Sequence, residues 1–347
     1  LRTYYTGFCL RIRRTTTTPV VTTTTVDLAF DSNNTISLNS AISYVSGEPT
    51  FASTLGQFCA ALGFTNTDGY NPCEIFVVTW FDQSGNNKNT SQGTPGNQPR
   101  LVRLDTGVPT LETSQGKVAV RFISASSTQL IASDTSIVLN DISSYVVGNP
   151  ITATITSYFA ININGTRFYL PGANFISYNT TNTFTVTNTV AGENRLYELI
   201  CGTSTTSAYS NGLQLSPLSV PSVNIVNTNI YIGRVGGSGF ASFADGYISE
   251  AISFIGTPNR LNIDENMMDY YGIQRPPKVT TADVNYIDPT GTATGGGDVF
   301  GEFGFSVTAK GVCWGTSQNP TINLATRTID GQGAGSFTSN LNFLQAY

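Results

Sequence analysis

The 22 acidic side chains are the main candidates for chemistry in this sequence, because the chain contains no histidine. A Ser-His-Asp triad, a Cys-His pair, a histidine zinc site and imidazole acid–base catalysis are therefore excluded. Two acidic residues fall in plausible loops, Glu193 after Gly192 and Asp245 before Gly246. Retaining glycosidases need two carboxyl groups about 5 Å apart, and the sequence shows no such pair. We therefore predict that the chain is not an enzyme, with glycoside hydrolysis as the alternative.

A polar cluster, residues 82–86, directly follows a hydrophobic run that ends at Trp80. Asx-type hydrogen bonds and a glycine free to adopt positive φ are typical of a structural corner between strand and loop, which is our main interpretation. The alternative is glycan binding. Asp82, Gln83 and Asn86 would then take sugar hydroxyls beside Trp80, whose ring can stack on a sugar face.

Calcium binding is a second alternative for the same carboxylates. Asp82 with Asn86, and Asp245, carry the oxygen ligands that calcium prefers. Charged residues make up only 11% of the chain, so such ligands are sparse. The main expectation is that the protein has no cofactor.

The strand before the polar cluster is predicted over residues 76–80, which are all β-branched or aromatic, as in a strand covered on both faces. Residues 76–87 resemble the Trp/Tyr-Asp-Gln-Ser-Gly-Asn signature of the jelly-roll domain at the front of arabinofuranosidase-B-type glycosidases. That concanavalin-A-like sandwich recurs without catalysis in bacteriophage virion proteins and bacterial surface proteins. Phe58-Cys59-Ala60 and then Cys73 precede the signature here, as they do in the glycosidases.

The resemblance continues to the end of the predicted sandwich. Residues 229–234 and 243–254 look like the closing strands of the same superfamily, in which Asp245-Gly246 is a tight turn. The resemblance implies a concanavalin-A-like jelly roll over residues 1–275. The vicinal cysteine pair and catalytic loops of the arabinofuranosidases are not found, so the implied domain is a non-catalytic one.

Five cysteines are present, and two of them bracket a turn-rich loop. Cys59 and Cys73 lie at the ends of this loop, so a disulfide between them is predicted, with free thiols as the alternative. A loop of this size would stabilise the fold by roughly 3 kcal/mol. The other cysteines fit small buried hydrophobic residues better than a metal cluster, because no Cys-x-x-Cys pair exists.

Strand-like segments recur about every ten residues, which is typical of an all-β sandwich. In the first strand Leu10 and Ile12 are expected to face the core, and Arg11 and Arg13 to face solvent. Asn211-Gly212 predicts a hairpin turn with positive φ at both residues. Further strands are predicted at residues 117–122, 151–163, 166–170, 183–190, 195–201 and 204–210. Short helices are predicted at residues 38–45, 55–62 and 264–272, the last with Asp264 as its N-cap.

The two prolines of residues 275–278 predict a stiff linker and a domain boundary. Residues 276–347 resemble a fibronectin-III or immunoglobulin-like module that is abundant in Bacteroidetes surface proteins and their phages, with Trp314 as its core aromatic residue. We expect this module to lack its final strand at Tyr347, and Leu1 to begin inside a longer or processed product. The predicted fold class is thus all-β: a jelly roll followed by a small β-sandwich.

These observations predict a non-catalytic virion surface or fibre protein that displays a lectin-like sandwich for attachment to host-surface glycans. The alternatives are a secreted glycoside hydrolase of the arabinofuranosidase type and a bacterial cell-surface adhesin. Expected partners are glycans, other virion or surface-layer proteins and further copies of the chain, with trimers common among fibres. The net charge of −5 argues against nucleic acid. No apolar run is long enough for membrane insertion, and the expected location is the virion surface or the extracellular space.

Overall fold

We describe the fold from a computed structural model of the chain. The structure describes residues 6–16, 22–47, 52–61, 63, 72–84, 86–133, 142–151, 157–163, 166–171, 175–177, 183–185, 191–217, 219–221, 229–235, 242–256, 259–284, 287–342 and 344.

The described residues are mostly extended, as the many Thr, Val, Ile, Tyr and Phe residues favour. The strands are β1 Phe8–Thr16, β2 Thr22–Ala29, β3 Ile42–Ser46, β4 Ile75–Trp80, β5 Thr90–Ser91, β6 Arg100–Asp105, β7 Val108–Leu111, β8 Thr113–Ser114, β9 Lys117–Val118, β10 Val120–Phe122, β11 Leu130–Ser133, β12 Ile142–Pro150, β13 Ser157–Ile163, β14 Thr166–Pro171, β15 Phe175–Ser177, β16 Thr183–Thr185, β17 Arg195–Cys201, β18 Thr205–Ser210, β19 Leu213–Gln214, β20 Val220–Pro221, β21 Asn229–Ile232, β22 Arg234–Val235, β23 Ser242–Phe243, β24 Gly246–Ile255, β25 Lys278–Thr281, β26 Ala293–Phe300 and β27 Gly335–Leu341. The helices are α1 Leu55–Cys59 and α2 Arg260–Tyr271, and 3-10 turns lie at Pro95–Asn97 and Ser124–Ser126.

The large unit is a β-sandwich of the jelly-roll type, which confirms the predicted fold class. One antiparallel sheet runs in the order β3–β2–β1–β4–β6. A second runs in the order β10–β24–β12–β17–β18 and joins the first through the pairing of β10 with β6. The core lies between them, because Ile12 and Val26 of the first sheet share one buried cluster with Val146 and Leu199 of the second.

Strand β4 alternates between buried and half-buried residues, so the prediction of complete cover on both faces is wrong. Ile75 and Val77 are fully buried in the core. Phe76, by contrast, faces β1, where the guanidinium of Arg13 lies 5.0 Å from the centre of its ring. The outer face of β4 is thus covered in part by long polar side chains, whose stems pack on apolar surface.

The prediction that Arg13 faces solvent is also wrong, whereas the side chain of Arg11 keeps 34% of its surface exposed. Arg13 is only 8% exposed, and its Nε donates a hydrogen bond to Gln98 Oε1 at 2.6 Å. Arg11 forms an ion pair with Asp27 on the adjacent strand β2, where its Nε lies 2.7 Å from Oδ1. A polar partner just before β6 allows the Arg13 cation to be covered, which the alternation within one strand cannot reveal.

The helix predictions are confirmed in part. Residues 42–46 form strand β3, which pairs with β2, so the predicted helix at residues 38–45 is wrong. Helix α1 forms where predicted but ends at Cys59, because Ala60 takes a left-handed conformation with φ of 58°. Pairing with an existing strand supplies more backbone hydrogen bonds than one isolated helical turn.

Helix α2 begins earlier than predicted. Its N-cap is Asn259, whereas Asp264 lies inside the helix and is buried, so the N-cap prediction is wrong. Gly272 ends the helix with φ of 64°, as predicted. The helix extends back to Arg260, whose side chain pairs with Asp264 four residues later.

Several strands match their predicted positions. Strand β17 coincides with the predicted residues 195–201, and β18 starts one residue later than predicted. Asn211 and Gly212 have φ of 51° and 77°, which confirms the conformation expected of the hairpin turn. The predicted strand residues 152–156 and 186–190 lie outside the described residues.

The chain divides into two compact units, residues 1–210 with 214–272 and residues 273–347 with 211–213. In the described part of the smaller unit, β25, β26 and β27 form a three-stranded antiparallel sheet. Trp314 is half-buried, and its backbone nitrogen donates to Thr326 O at 3.1 Å. The boundary at residues 275–276 and the fibronectin-III resemblance of this unit stay predictions. None of the helices in the described residues has the length and apolar character that crossing a membrane would require.

Gly233 is expected to be a position at which no larger residue fits. Its φ is 84°, and a Cβ built there would overlap Cδ1 of the fully buried Phe122. Gly192 has a similar φ of 87° but open space around its Cβ position. We expect Gly233→Ala to lower the free energy of unfolding by about 3 kcal/mol or more, because backbone strain and overpacking add.

Urea unfolding of both variants would check this. Gly192→Ala is the control for backbone strain alone and should cost about 1–2 kcal/mol. Equal losses in the two variants would show that the contact with Phe122 is unimportant.

Candidate functional site

The polar turn, residues 82–86, uses its own carboxylate as a hydrogen-bond acceptor. Asp82 Oδ1 accepts from the backbone nitrogen of Ser84 at 2.8 Å, and Oδ2 accepts from that of Lys88 at 3.0 Å. Asn86 is exposed, and its Nδ2 donates to Ser84 Oγ at 2.9 Å. Residue 85 lies outside the described residues. Asp82 and Asn86 are thus brought together through Ser84, in the arrangement typical of a structural corner.

The ionisation of Asp82 reflects these bonds. Burial alone would raise the pKa of its carboxyl group, but hydrogen bonds from Ser84, Lys88 and Asn86 outweigh burial, so the pKa lies below its ordinary value. The carboxylate therefore stays charged over the physiological range and holds the turn.

A recess lined by aromatic residues lies beside this turn. Its volume is about 50 Å³, enough for about two water molecules. We call it the aromatic recess. Its side chains with aromatic rings or polar tips include Trp80, Gln83, Phe30, Lys117, Tyr270 and Tyr271.

Strand β4 and helix α2 position three of the aromatic rings. Trp80 is the last residue of β4 and pairs with Leu10 of β1 and Thr90 of β5. Tyr270 and Tyr271 form the last turn of α2, and their rings meet edge to face with centres 4.9 Å apart. Strand pairing and helix packing therefore fix the aromatic rings, which reduces the entropy lost when a ligand binds.

Lys117 brings a positive charge to the aromatic recess. Its Nζ lies 4.2 Å from the centre of the Tyr270 ring, within the range of a cation–π interaction. The hydroxyl of Tyr271 donates a hydrogen bond to Glu250 Oε2 at 2.9 Å, which fixes the position of the ring. The rim thus combines an ammonium group, an amide and aromatic faces.

The structure gathers only some of the residues predicted to bind glycans. Trp80 and Gln83 line the aromatic recess together, whereas Asp82 and Asn86 are engaged in the polar turn. Sequence reasoning missed Tyr270 and Tyr271. Their position just before the helix-ending Gly272 was recognisable, but not their approach to a strand almost 200 residues earlier.

The predicted calcium ligands are engaged by the protein itself. Asp245 Oδ1 lies 2.7 Å from a guanidinium nitrogen of Arg121, and Asp82 accepts hydrogen bonds within its turn. Among the described residues there is no group of three or more Cys, Asp or Glu side chains arranged to hold a metal ion. Glu193, the other acidic candidate, is exposed. Calcium binding stays an alternative to the main expectation that the protein has no cofactor.

Cys59 and Cys73 are neighbours with free thiols in this structure. The backbone nitrogen of Cys73 donates to the carbonyl of Cys59 at 3.4 Å. Burial raises the pKa of the Cys59 thiol to about 12 and that of Cys73 to about 11. Both thiols are therefore protonated at neutral pH in the folded chain, so a disulfide between them would have to form before this region is buried. The disulfide stays a prediction.

No protein-family model and no curated protein matches the chain. Solved structures with a similar arrangement include a GH54 α-L-arabinofuranosidase soaked with a cyclic sulfate inhibitor, at 14% identity and a TM-score of 0.47 over 85% of this chain and 69% of that chain. An arabinofuranosidase complexed with arabinofuranosyl-alpha-1,2-xylobiose is 12% identical over the same shares, with a TM-score of 0.48.

A shorter structure is similar to part of the chain. Domain 4 of AbnA, a GH43 extracellular arabinanase from Geobacillus stearothermophilus solved with arabinotriose, is 12% identical with a TM-score of 0.34. The likeness covers 50% of this chain and 82% of that domain. At TM-scores below 0.5 these likenesses carry no argument about the activity of this chain.

Replacing Asp82 should destabilise the protein in a pH-dependent way. We expect Asp82→Ala to lower the free energy of unfolding by about 1–3 kcal/mol at neutral pH, because two backbone donors lose their acceptor. The pKa of Asp82 is depressed in the folded state. Its stabilising effect is therefore present above the pKa of the unfolded chain and lost as the pH falls through the folded pKa.

Denaturant titrations at neutral and acid pH would measure this loss. The exposed Glu193 provides a control, Glu193→Ala, which should change stability little. A constant difference between wild type and Asp82→Ala down to about pH 2 would contradict the assigned role.

Protein prepared without reductant should contain the disulfide between Cys59 and Cys73. The two residues already share a backbone hydrogen bond, so closure needs little chain movement. Alkylation in denaturant, followed by peptide mass analysis with and without reduction, would test this. The buried Cys9 and Cys201 serve as controls and should be alkylated without reduction. Alkylation of Cys59 and Cys73 in the unreduced sample would contradict the prediction.

Proposed function

We propose that this protein is a non-catalytic, surface-displayed module that binds glycans at the aromatic recess. The observation that carries the proposal is the meeting of Trp80 and Tyr270 with Gln83 and Lys117 around one cavity. Aromatic faces stack on the apolar faces of sugar rings, while amide and ammonium groups bond to hydroxyls.

The size of the aromatic recess sets the kind of ligand. A volume of about 50 Å³ accepts the edge of one sugar unit rather than a whole oligosaccharide. Such a site binds weakly alone, and linking several copies raises the overall affinity by about 10²–10⁴. Oligomeric display on a virion, fibre or cell surface fits this requirement, and a homo-oligomer is therefore part of the proposal.

The chemistry of the lining supports binding rather than hydrolysis. Among the described residues that line the aromatic recess, none is Asp or Glu. A retaining glycosidase needs two carboxyl groups about 5 Å apart at the sugar. Arabinofuranosidase activity is therefore the alternative that the same experiment must test.

The ligands of similar proteins suggest the first probes. Arabinotriose and arabinofuranosyl-xylobiose were bound in two of the solved structures described above. We also propose an extracellular or virion-surface location for this chain, because a module that attaches to surface glycans must be displayed outside the cell.

A glycan array that includes arabinose-containing oligosaccharides should detect binding by the full chain. We expect Trp80→Ala to weaken that binding at least about tenfold, because the stacking surface is lost. The chain has two tryptophans, so Trp314→Ala is the matched control and should bind normally.

Two outcomes would overturn the proposal. The first is binding that is unchanged in Trp80→Ala, or no binding to any glycan. The second is release of sugar from arabinosides that is abolished by replacing one acidic side chain. Light-scattering measurement of the molar mass would test the proposed oligomer directly.

A further inference from the structure

Helix α2 covers a row of large polar side chains on the outer face of the second sheet. Tyr145 of β12, Glu198 of β17 and Tyr209 of β18 lie opposite one another across the three strands. The guanidinium of Arg260, at the start of α2, lies 3.9 Å from the centre of the Tyr209 ring. The helix therefore places its first turn over this row.

One cation faces two buried acids in this contact. The same nitrogen of Arg260, Nη1, lies 3.1 Å from Glu198 Oε2 and also contacts Asp264 Oδ2. The Glu198 and Asp264 side chains, which we call the carboxyl pair, are 0% and 3% exposed. If both were ionised, the buried cluster would carry a net negative charge, which is costly away from water.

The remaining oxygens of the carboxyl pair have no hydrogen-bond donor among the described residues. Glu198 Oε1 and Asp264 Oδ1 are buried, and neither accepts a hydrogen bond from any donor in the described residues. The hydroxyl of Tyr145, on the neighbouring strand, is also buried without a partner there. A proton on one of the two acids neutralises the excess charge and lets that acid donate a hydrogen bond to the other.

We propose that Glu198 and Asp264 share one proton and that this protonated pair is a pH-sensitive latch holding helix α2 on the sheet. The ionisation of the pair agrees with this geometry. Burial, and then the charge of Asp264, raise the pKa of Glu198 well above its ordinary value. Burial also raises the pKa of Asp264, although hydrogen bonds from Glu198 and Arg260 oppose that rise.

The latch is connected to the aromatic recess through the helix. Tyr270 and Tyr271 stand at the other end of α2, so loosening of the helix removes two walls of the recess. This regulatory consequence rests on the proposed function. The latch itself does not.

The direction of the pH effect follows from proton binding. The folded protein keeps the shared proton at a pH where the unfolded chain has released it, so the folded state binds more protons. The stabilising effect is complete at acid pH, below the pKa of an unfolded carboxyl group. It is lost as the pH rises through the folded pKa.

No other group around the carboxyl pair is expected to produce a similar pH dependence of stability. The groups around the carboxyl pair are Arg260 and Glu265 of α2, Tyr145 of β12 and Tyr209 of β18. Burial raises the pKa of Tyr145, so its hydroxyl stays protonated at neutral pH. Because the chain has no histidine, no side chain with an ordinary pKa titrates between about pH 5 and 8.

Thermal unfolding of the full chain from about pH 5 to 8 tests the latch. We expect the wild-type melting temperature to fall by about 3–6 °C over this range. Glu198→Gln keeps the shape of the protonated acid without a titrating group, so its melting temperature should stay flat. Glu250→Gln is the matched control, since Glu250 also contacts α2 through Tyr271, and it should follow the wild type.

A second measurement follows the aromatic recess without any sugar. In a Trp314→Phe background, Trp80 is the single tryptophan and reports on the recess by its fluorescence. We expect its emission to shift over the same pH range as the melting temperature, and the shift to vanish in Glu198→Gln. If Glu198→Gln does not fold, Asp264→Asn takes its place.

A wild-type melting temperature that is flat over this range, or an equal slope in Glu198→Gln, would overturn the latch. A melting temperature that falls while Trp80 emission stays constant would overturn its connection to the recess. Because neither measurement uses a glycan, these failures are distinct from a failure of the proposed function.

Discussion

The packing of helix α2 against the outer face of the β12–β17–β18 sheet is the contact on which the large unit depends. A sheet with one face in the core still exposes its other face, and strand β12 is buried along its whole length because both faces are covered. Helix α2 provides part of this cover and also supplies Tyr270 and Tyr271 to the aromatic recess. One helix therefore completes the fold and shapes the candidate site.

Several charged side chains are buried in this fold, and groups of opposite charge from neighbouring strands and loops compensate them. Glu112 is 1% exposed, but it lies between Arg100 and Arg103, at 2.8 and 3.3 Å. Arg11 meets Asp27 in the same way. In these clusters the opposite charges are satisfied across strands. The carboxyl pair under α2 differs, since two acids meet a single guanidinium, and a proton supplies the missing positive charge.

The sequence suggested that one motif, residues 80–86, could form a turn or bind a ligand. In the structure the polar turn holds the backbone, and the aromatic recess is the candidate binding site. The carboxylate of Asp82 holds the backbone of the turn and is not free for a ligand. The polar turn also places Gln83 beside Trp80 at the end of β4. A rigid corner next to a strand end is a suitable platform for binding, because the side chains around it lose little freedom when a ligand arrives.

The all-β class, the strand at residues 195–201, the turn chemistry around Asp82 and the helix end at Gly272 were predictable from sequence, because each depends on local backbone preference. Three features needed the folded structure: Arg13 is buried, residues 42–46 form a strand, and Asp264 lies inside a helix, where it shares the Arg260 guanidinium with Glu198. The folded structure likewise brought Tyr270 to Trp80. These outcomes depend on strand pairing and on compensation of buried charge between residues far apart in the chain, which periodicity within one segment cannot express.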